Sequence, residues 1–166
     1  MDNFYSTIKK ICDKNSRVAM FIDMDGTIVE YPIYLKGEIS TNTRGKFVDG
    51  RPIEIIIDKL RKISKIKNID LYILSLAKSS IIVEEKKEWL KKYVDFIDKG
   101  KWIIINKENG EYNKDNRDII KVQKMQEKLN EYDCMILLDD DHKILKQTKE
   151  ELNDKGYVYH ISSALI

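Results

Sequence analysis

Five short apolar runs, VAMFI, IDLYILS, WIIIN, CMILL and YVYHI, recur along the chain with longer amphipathic stretches between them. This alternation restricts the fold more than any other feature. Runs of that length, bounded by turn residues, read as strands, Val18 to Ile22 being the first. The stretches between them carry apolar residues at helical spacing. Phe4, Ile8 and Ile11 mark a helix over Asn3 to Lys14, and Ile56, Leu60 and Ile63 mark one that opens near Pro52 and ends near Lys67. A third helix starts at Ser79 or Ser80, either of which can cap it, and runs through Trp89 to about Tyr93. A fourth starts at Asp115 or Asn116 and carries Ile119, Val122, Met125 and Leu129. The last spans His142 to Lys155, with Gly156 as a left-handed cap. Parallel strands need crossover connections, and helices cover both faces of the sheet that results. The expectation is an α/β fold: a three-layer, Rossmann-like parallel sheet of about five strands with helices on both faces.

Ligands of such sheets bind beyond the carboxyl ends of the strands. The polar residues there are Asp23 and Asp25 after the first strand, Ser75 after the second, Asn106 and Lys107 after the third, and Asp139 to Asp141 after the fourth. A D-x-D-G-T string such as Asp23 to Thr27 arises by chance in a chain of this size with a probability on the order of 10⁻³. Side chains at i and i+2 of an extended segment share a face, so Asp23 and Asp25 converge if the extended geometry persists to Asp25. Close carboxylates repel unless a cation compensates, and Asp139 and Asp140 add further negative charge. A hard divalent cation with oxygen ligands, Mg²⁺ above others, answers that crowding.

These groups suit phosphoryl transfer. An anionic Asp23 can attack phosphorus, Asp25 can protonate the leaving oxygen and then activate water, and Gly26 lets the backbone turn away. Thr27 offers a hydroxyl to orient an acid, Ser75 can donate to a phosphate oxygen, and a lysine in reach would stabilise charge on the transferring group. Lys121 and Lys114 are the two choices. The segment RDIIKVQKM sets Lys121 in an early helical turn with apolar residues on either side, which favours it over Lys114 in the preceding loop.

Composition limits the rest. At 166 residues and 42% hydrophobic, the chain fits one compact domain. Thirty basic and 28 acidic residues give a mixed surface that does not call for nucleic acid. The separated Cys12 and Cys134 suit reduced thiols, Cys134 as a small core residue. No apolar stretch resembles a signal peptide or a membrane span, which leads to the expectation of a cytoplasmic protein.

The motif DMDGT, the apolar strand ending in Ser75, a helix lysine and ILLDDD together resemble, from Val18 to about Ile161, the four ordered motifs of the haloacid-dehalogenase-like (HAD) phosphohydrolases. The resemblance implies Asp23 as nucleophile, Asp25 as acid/base and Ser75 as phosphate ligand. It also implies magnesium held by Asp23, the Asp25 carbonyl and an acid from Asp139 or Asp140, with the first-motif strand at the sheet centre. A narrower likeness is to the 5'(3')-deoxyribonucleotidase branch. DMDGTIVEY shares that branch's ending in Glu30 and Tyr31, SLAK puts Lys78 where its second motif carries a lysine, and EKKEW echoes its spacing of lysine and tryptophan in Lys86 and Trp89. The chain departs from the branch at Leu74 and Leu76, where Thr and Pro flank the serine, and in a shorter region from Tyr31 to Arg51.

Between Val29 and Arg51 the periodic pattern dissolves, which reads as a small flap. Its Tyr31, Tyr34, Lys36, Arg44, Lys46 and Phe47 suit stacking on a base and holding phosphate, with Arg44 a substrate-binding residue beside Lys78 and Thr27. The intervals between motifs leave too little chain for a large cap domain. The open site that follows is compatible with a nucleotide, a sugar phosphate or the phosphorylated end of a larger molecule. Two alternatives remain: a receiver-like phosphoacceptor, which the motif order disfavours, and a phosphate-binding module without turnover, which the intact Asp23 and Asp25 disfavour.

Overall fold

The computed structural model describes residues 3–31 and 47–166. Five strands, β1 (Val18–Ile22), β2 (Ile69–Ala77), β3 (Trp102–Asn106), β4 (Cys134–Asp139) and β5 (Gly156–His160), form one all-parallel sheet in the order β3-β2-β1-β4-β5. The helices are α1 (Asn3–Asp13), α2 (Glu54–Ile63), α3 (Ser80–Tyr93), α4 (Ile120–Gln126) and α5 (His142–Leu152). The fold is therefore α/β, Rossmann-like and three-layered.

The central strand shows why the sequence settles this way. All five residues of β1 are buried, as a strand covered on both faces requires. Val18, Met20 and Ile22 join one core with residues of α1, α2 and α3. Ala19 and Phe21, on the opposite face, join a second core with residues of α4 and α5. Side chains of β4 divide the same way, with Ile136 and Leu138 toward the first core and Met135 and Leu137 toward the second.

From β1 the chain winds through β2 to β3 on one side, then returns to the other side of β1 for β4 and β5. The winding thus reverses between β1 and β4, where a crevice opens beyond the strand ends. In register Ile22 pairs with Leu138, so Asp23 and Asp139 are the next residues on adjacent strands. The Asp23 amide donates to the Leu138 carbonyl at 2.9 Å, extending the pairing one step past β1.

Several boundaries differ from the sequence expectation. Pro52 pairs with Val29 in an isolated antiparallel bridge, and α2 begins two residues later at Glu54 and ends at Ile63. The helix expected from Asp115 or Asn116 begins only at Ile120, because Asn113 holds residues 113–116 in a side-chain-bonded turn: its Oδ1 accepts from the Asp115 and Asn116 amides. Gly156 is not a left-handed cap. It opens β5 with φ −112°, and the positive φ (48°) falls on Asn153 at the end of α5. Glycine is still required at 156, since a Cβ there would lie 2.5 Å from the Leu152 Cβ. Of the two serines expected to cap α3, Ser79 does so, accepting from the Ile82 amide.

Cys12 and Cys134 are buried free thiols, and burial pushes Cys134 up to about 11, which keeps it protonated and inert. Among the described residues no helix is long and apolar enough to cross a membrane.

Candidate active site

Strand periodicity decides which helix each site residue meets. Asp23 and Asp139 continue the face of Ala19, Phe21, Met135 and Leu137, which is covered by α4 and α5. Lys121, in the first turn of α4, reaches both acids from that side. Its ammonium donates to Asp23 Oδ1 at 2.6 Å and to Asp139 Oδ2 at 2.7 Å. Lys114 is exposed, so of the two lysines only Lys121 enters the site. Burial alone would lower the Lys121 pKa, but the two carboxylates overcome it and hold the ammonium above its ordinary range.

The other oxygen of Asp23 accepts from the Thr27 hydroxyl at 3.2 Å. Thr27 is fully buried and orients the carboxylate; it is not presented to a substrate. Its position follows from a tight loop in which the Thr27, Ile28 and Val29 amides all donate to the Met24 carbonyl. Gly26 makes the loop possible with φ 75°, and a Cβ on it would meet the Tyr31 ring at 2.4 Å and Asp140 Oδ2 at 2.5 Å.

Beyond the strand, Asp25 forms an isolated parallel bridge with Val29. The strand ends at Ile22, and the Asp25 carboxylate is met by Lys86 of α3, on the other side of the sheet, at 2.6 Å. Lys86 is almost fully buried and also donates to Ser75 Oγ and the Leu76 carbonyl, each at 2.7 Å, with the Phe47 ring 4.8 Å away. Both acids still line one cavity of about 320 Å³, together with Tyr31, Leu76, Arg117, Lys121, Asp139 to Asp141, His142 and Ile144. Two lysines from opposite helical layers thus fix the two carboxylates of one motif.

Ser75 differs from the expectation. The second strand runs on to Ala77, so Ser75 lies inside it, fully buried, facing α3 with Leu71 and Ile73, and it is not among the cavity-lining residues. Lys78 is exposed and also lies outside the lining. Arg44, Tyr34, Lys36 and Lys46 fall outside the described residues.

Asp23, Asp139 and Asp140 can bring one carboxylate oxygen each to within 4.8 Å of one another. Burial and the facing Asp23 charge push both Asp139 and Asp140 up to about 6. Asp25 and Asp141 each have a cationic partner, in Lys86 and Arg117, and Asp23 and Asp139 share Lys121. Asp140 has no ion-pair partner among the described residues. This surplus of negative charge, made wholly of hard oxygen donors, fits a divalent cation such as Mg²⁺. The Asp25 carboxylate is engaged by Lys86 and stands outside the cluster.

The EKKEW likeness did not disclose that Lys86 braces Asp25. A signal was nonetheless present: Glu85, Lys86, Trp89 and Leu90 are the buried stripe of α3, and charged residues within such a stripe require partners. Glu85 accepts from the Phe47 amide, and the Trp89 indole donates to the Gly50 carbonyl. Arg117 carried no comparable signal, because its site is made by the turn at 113–116.

No family model matches the chain, and no curated protein does. Among solved structures it is similar to a chain of the "Structure of Pnkp1/Rnl/Hen1 complex", with a TM-score of 0.56 and 21% identity over 86% of this chain and 46% of that one. The chain thus spans less than half the length of that relative, and the likeness is one of fold.

Proposed function

We propose that the chain is a magnesium-dependent phosphomonoesterase of the HAD type that works through an aspartyl-phosphate at Asp23. One observation carries this reading: a buried carboxylate at the carboxyl end of the central strand, with one oxygen on Lys121 and the other on Thr27, shares its cavity with a second acid two residues on. An orienting contact at each oxygen suits a group that must attack in one direction.

In the first step an Asp23 oxygen bonds to phosphorus, the ester P–O bond breaks, and Asp25 gives its proton to the leaving oxygen. In the second, water attacks phosphorus, Asp25 takes the water proton, and inorganic phosphate leaves with Asp23 restored. Lys86 keeps the Asp25 carboxylate aimed into the cavity in both steps. Lys121 orients Asp23 and offsets negative charge at the cavity floor. Asp23, Asp139 and Asp140 would hold Mg²⁺, which when bound neutralises phosphate charge as the anionic nucleophile approaches.

The test is phosphate release from a panel of phosphate esters with and without Mg²⁺. Asp23→Asn preserves shape and removes the attacking charge, and it is expected to lower turnover by at least roughly 10³-fold with an unchanged circular dichroism spectrum. Turnover near wild type in that variant would remove Asp23 as nucleophile.

A further inference from the structure

Arg117 has no part in the steps above, yet it lines the cavity and is held firmly there. Its Nη1 donates to Asp141 Oδ2 at 2.9 Å and to Asp118 Oδ1 at 3.0 Å. Asp141 is itself fixed as the cap of α5, accepting from the Lys143 amide at 2.9 Å. The loop bearing Arg117 is fixed by the Asn113–Asn116 bonds. A guanidinium has five N–H donors in a planar fork, and among the described residues only Nη1 is engaged, which leaves the Nε and Nη2 edge open.

Depth separates Arg117 from the other lining cation. Lys121 is 2% exposed and engaged by two carboxylates, whereas the Arg117 side chain is 46% exposed. Asp23, at 7%, lies at the floor with Lys121. A phosphoryl group bound to Asp23 occupies that floor, so the rest of the ester extends toward the mouth, where Arg117 and the exposed Tyr31 stand. An anion there would meet a preorganised fork suited to two parallel hydrogen bonds.

Building on the phosphatase reading, we propose that Arg117 is a specificity-determining residue that binds a second anionic group, carried on the leaving-group side of the substrate. The preferred substrate class is then a phosphate ester with another phosphate or carboxylate beyond the scissile bond.

Matched pairs differing by one anion test this: phenyl phosphate against 4-carboxyphenyl phosphate, and adenosine 5'-monophosphate against adenosine 3',5'-bisphosphate. Wild type is expected to favour the more anionic member of at least one pair by roughly tenfold in kcat/KM, in keeping with a hydrogen bond to a charged group, and by less at high salt. In Arg117→Gln the ratio should approach one. Arg117→Lys, which keeps the charge without the fork, should fall between, and Asp118→Asn should retain the preference. No preference in wild type, or one that survives in Arg117→Gln, overturns the proposal, and a loss of melting temperature without a change in ratio assigns Arg117 to loop anchoring alone. The same ratios are read as Kd by calorimetry in the Asp23→Asn background, where turnover plays no part. If wild type releases no phosphate from any of the four compounds, the phosphatase reading fails and calorimetry alone decides the role of Arg117.

Discussion

Lys86 lies beneath Asp25 and outside the cavity lining, so its removal should act through the acid it holds. Lys86→Met keeps much of the volume but leaves Ser75 Oγ and the Leu76 carbonyl without their donor. A loss of stability of about 1–3 kcal/mol is expected, measured by urea denaturation. Turnover should fall by roughly 10²-fold, because an unbraced Asp25 transfers protons poorly, and Lys86→Arg, which keeps a donor, should recover part of it. A fall in stability with turnover unchanged would leave Lys86 a packing group. At Gly26 the backbone conformation and the close approach of Asp140 act together. Gly26→Ala is expected to displace the Asp140 carboxylate and weaken Mg²⁺ binding by roughly tenfold or more, since ligand position sets affinity. Calorimetric titration with Mg²⁺ checks it, and wild-type affinity would show that Tyr31 alone gives way.

Among the elements, α5 is tied to the site at its cap, since Asp141 both caps the helix and holds Arg117. Burial would raise the Asp141 pKa, but the Arg117 hydrogen bond and the capped amides hold it below the ordinary carboxylate value. A group whose pKa is lower in the folded state contributes stability above its unfolded pKa and loses it as pH falls through the folded value. Asp141→Asn keeps a capping oxygen but removes the ion pair. Its melting temperature should therefore lie below wild type at pH 6, with the gap closing on acidification below the ordinary carboxylate range. A constant gap would show that the ion pair contributes little. The strands and the order of the acid motifs were legible in the sequence because β1 and residues 134–138 of β4 are short, buried apolar runs, each followed at once by an acid. The partners of those acids were legible only in part. Lys121 follows from its place in a helix before the fourth strand. The course of the chain after Ile22, which turns Asp25 toward α3, depends on Gly26 taking φ 75° and on three amides converging on Met24. Ser75 lies inside the strand because β2 runs two residues past it, and no turn residue marks that end until Ser79.

For the molecule as a whole, the acid cluster links stability to protons and cations. Asp139 and Asp140 have folded-state values near 6, raised by burial and by Asp23. Between the ordinary carboxylate value and 6, the native state binds more protons than the unfolded chain, so stability without metal falls as pH rises through this window. Mg²⁺ held by the ionised carboxylates would reverse the trend, with a gain in melting temperature that is small at pH 5 and several degrees at pH 7.5. An equal gain at both pH values would assign the cation to another site. The parallel register of β1 with β4 has a further consequence, for biosynthesis. During translation β1 can acquire its β2 neighbour early, but its other edge stays open until residues 134–139 have left the ribosome. Throughout that interval a wholly apolar strand presents unpaired amides and carbonyls, and Asp23 has no Asp139 beside it. The nascent chain therefore keeps an open strand edge and an incomplete acid cluster until its fourth strand arrives.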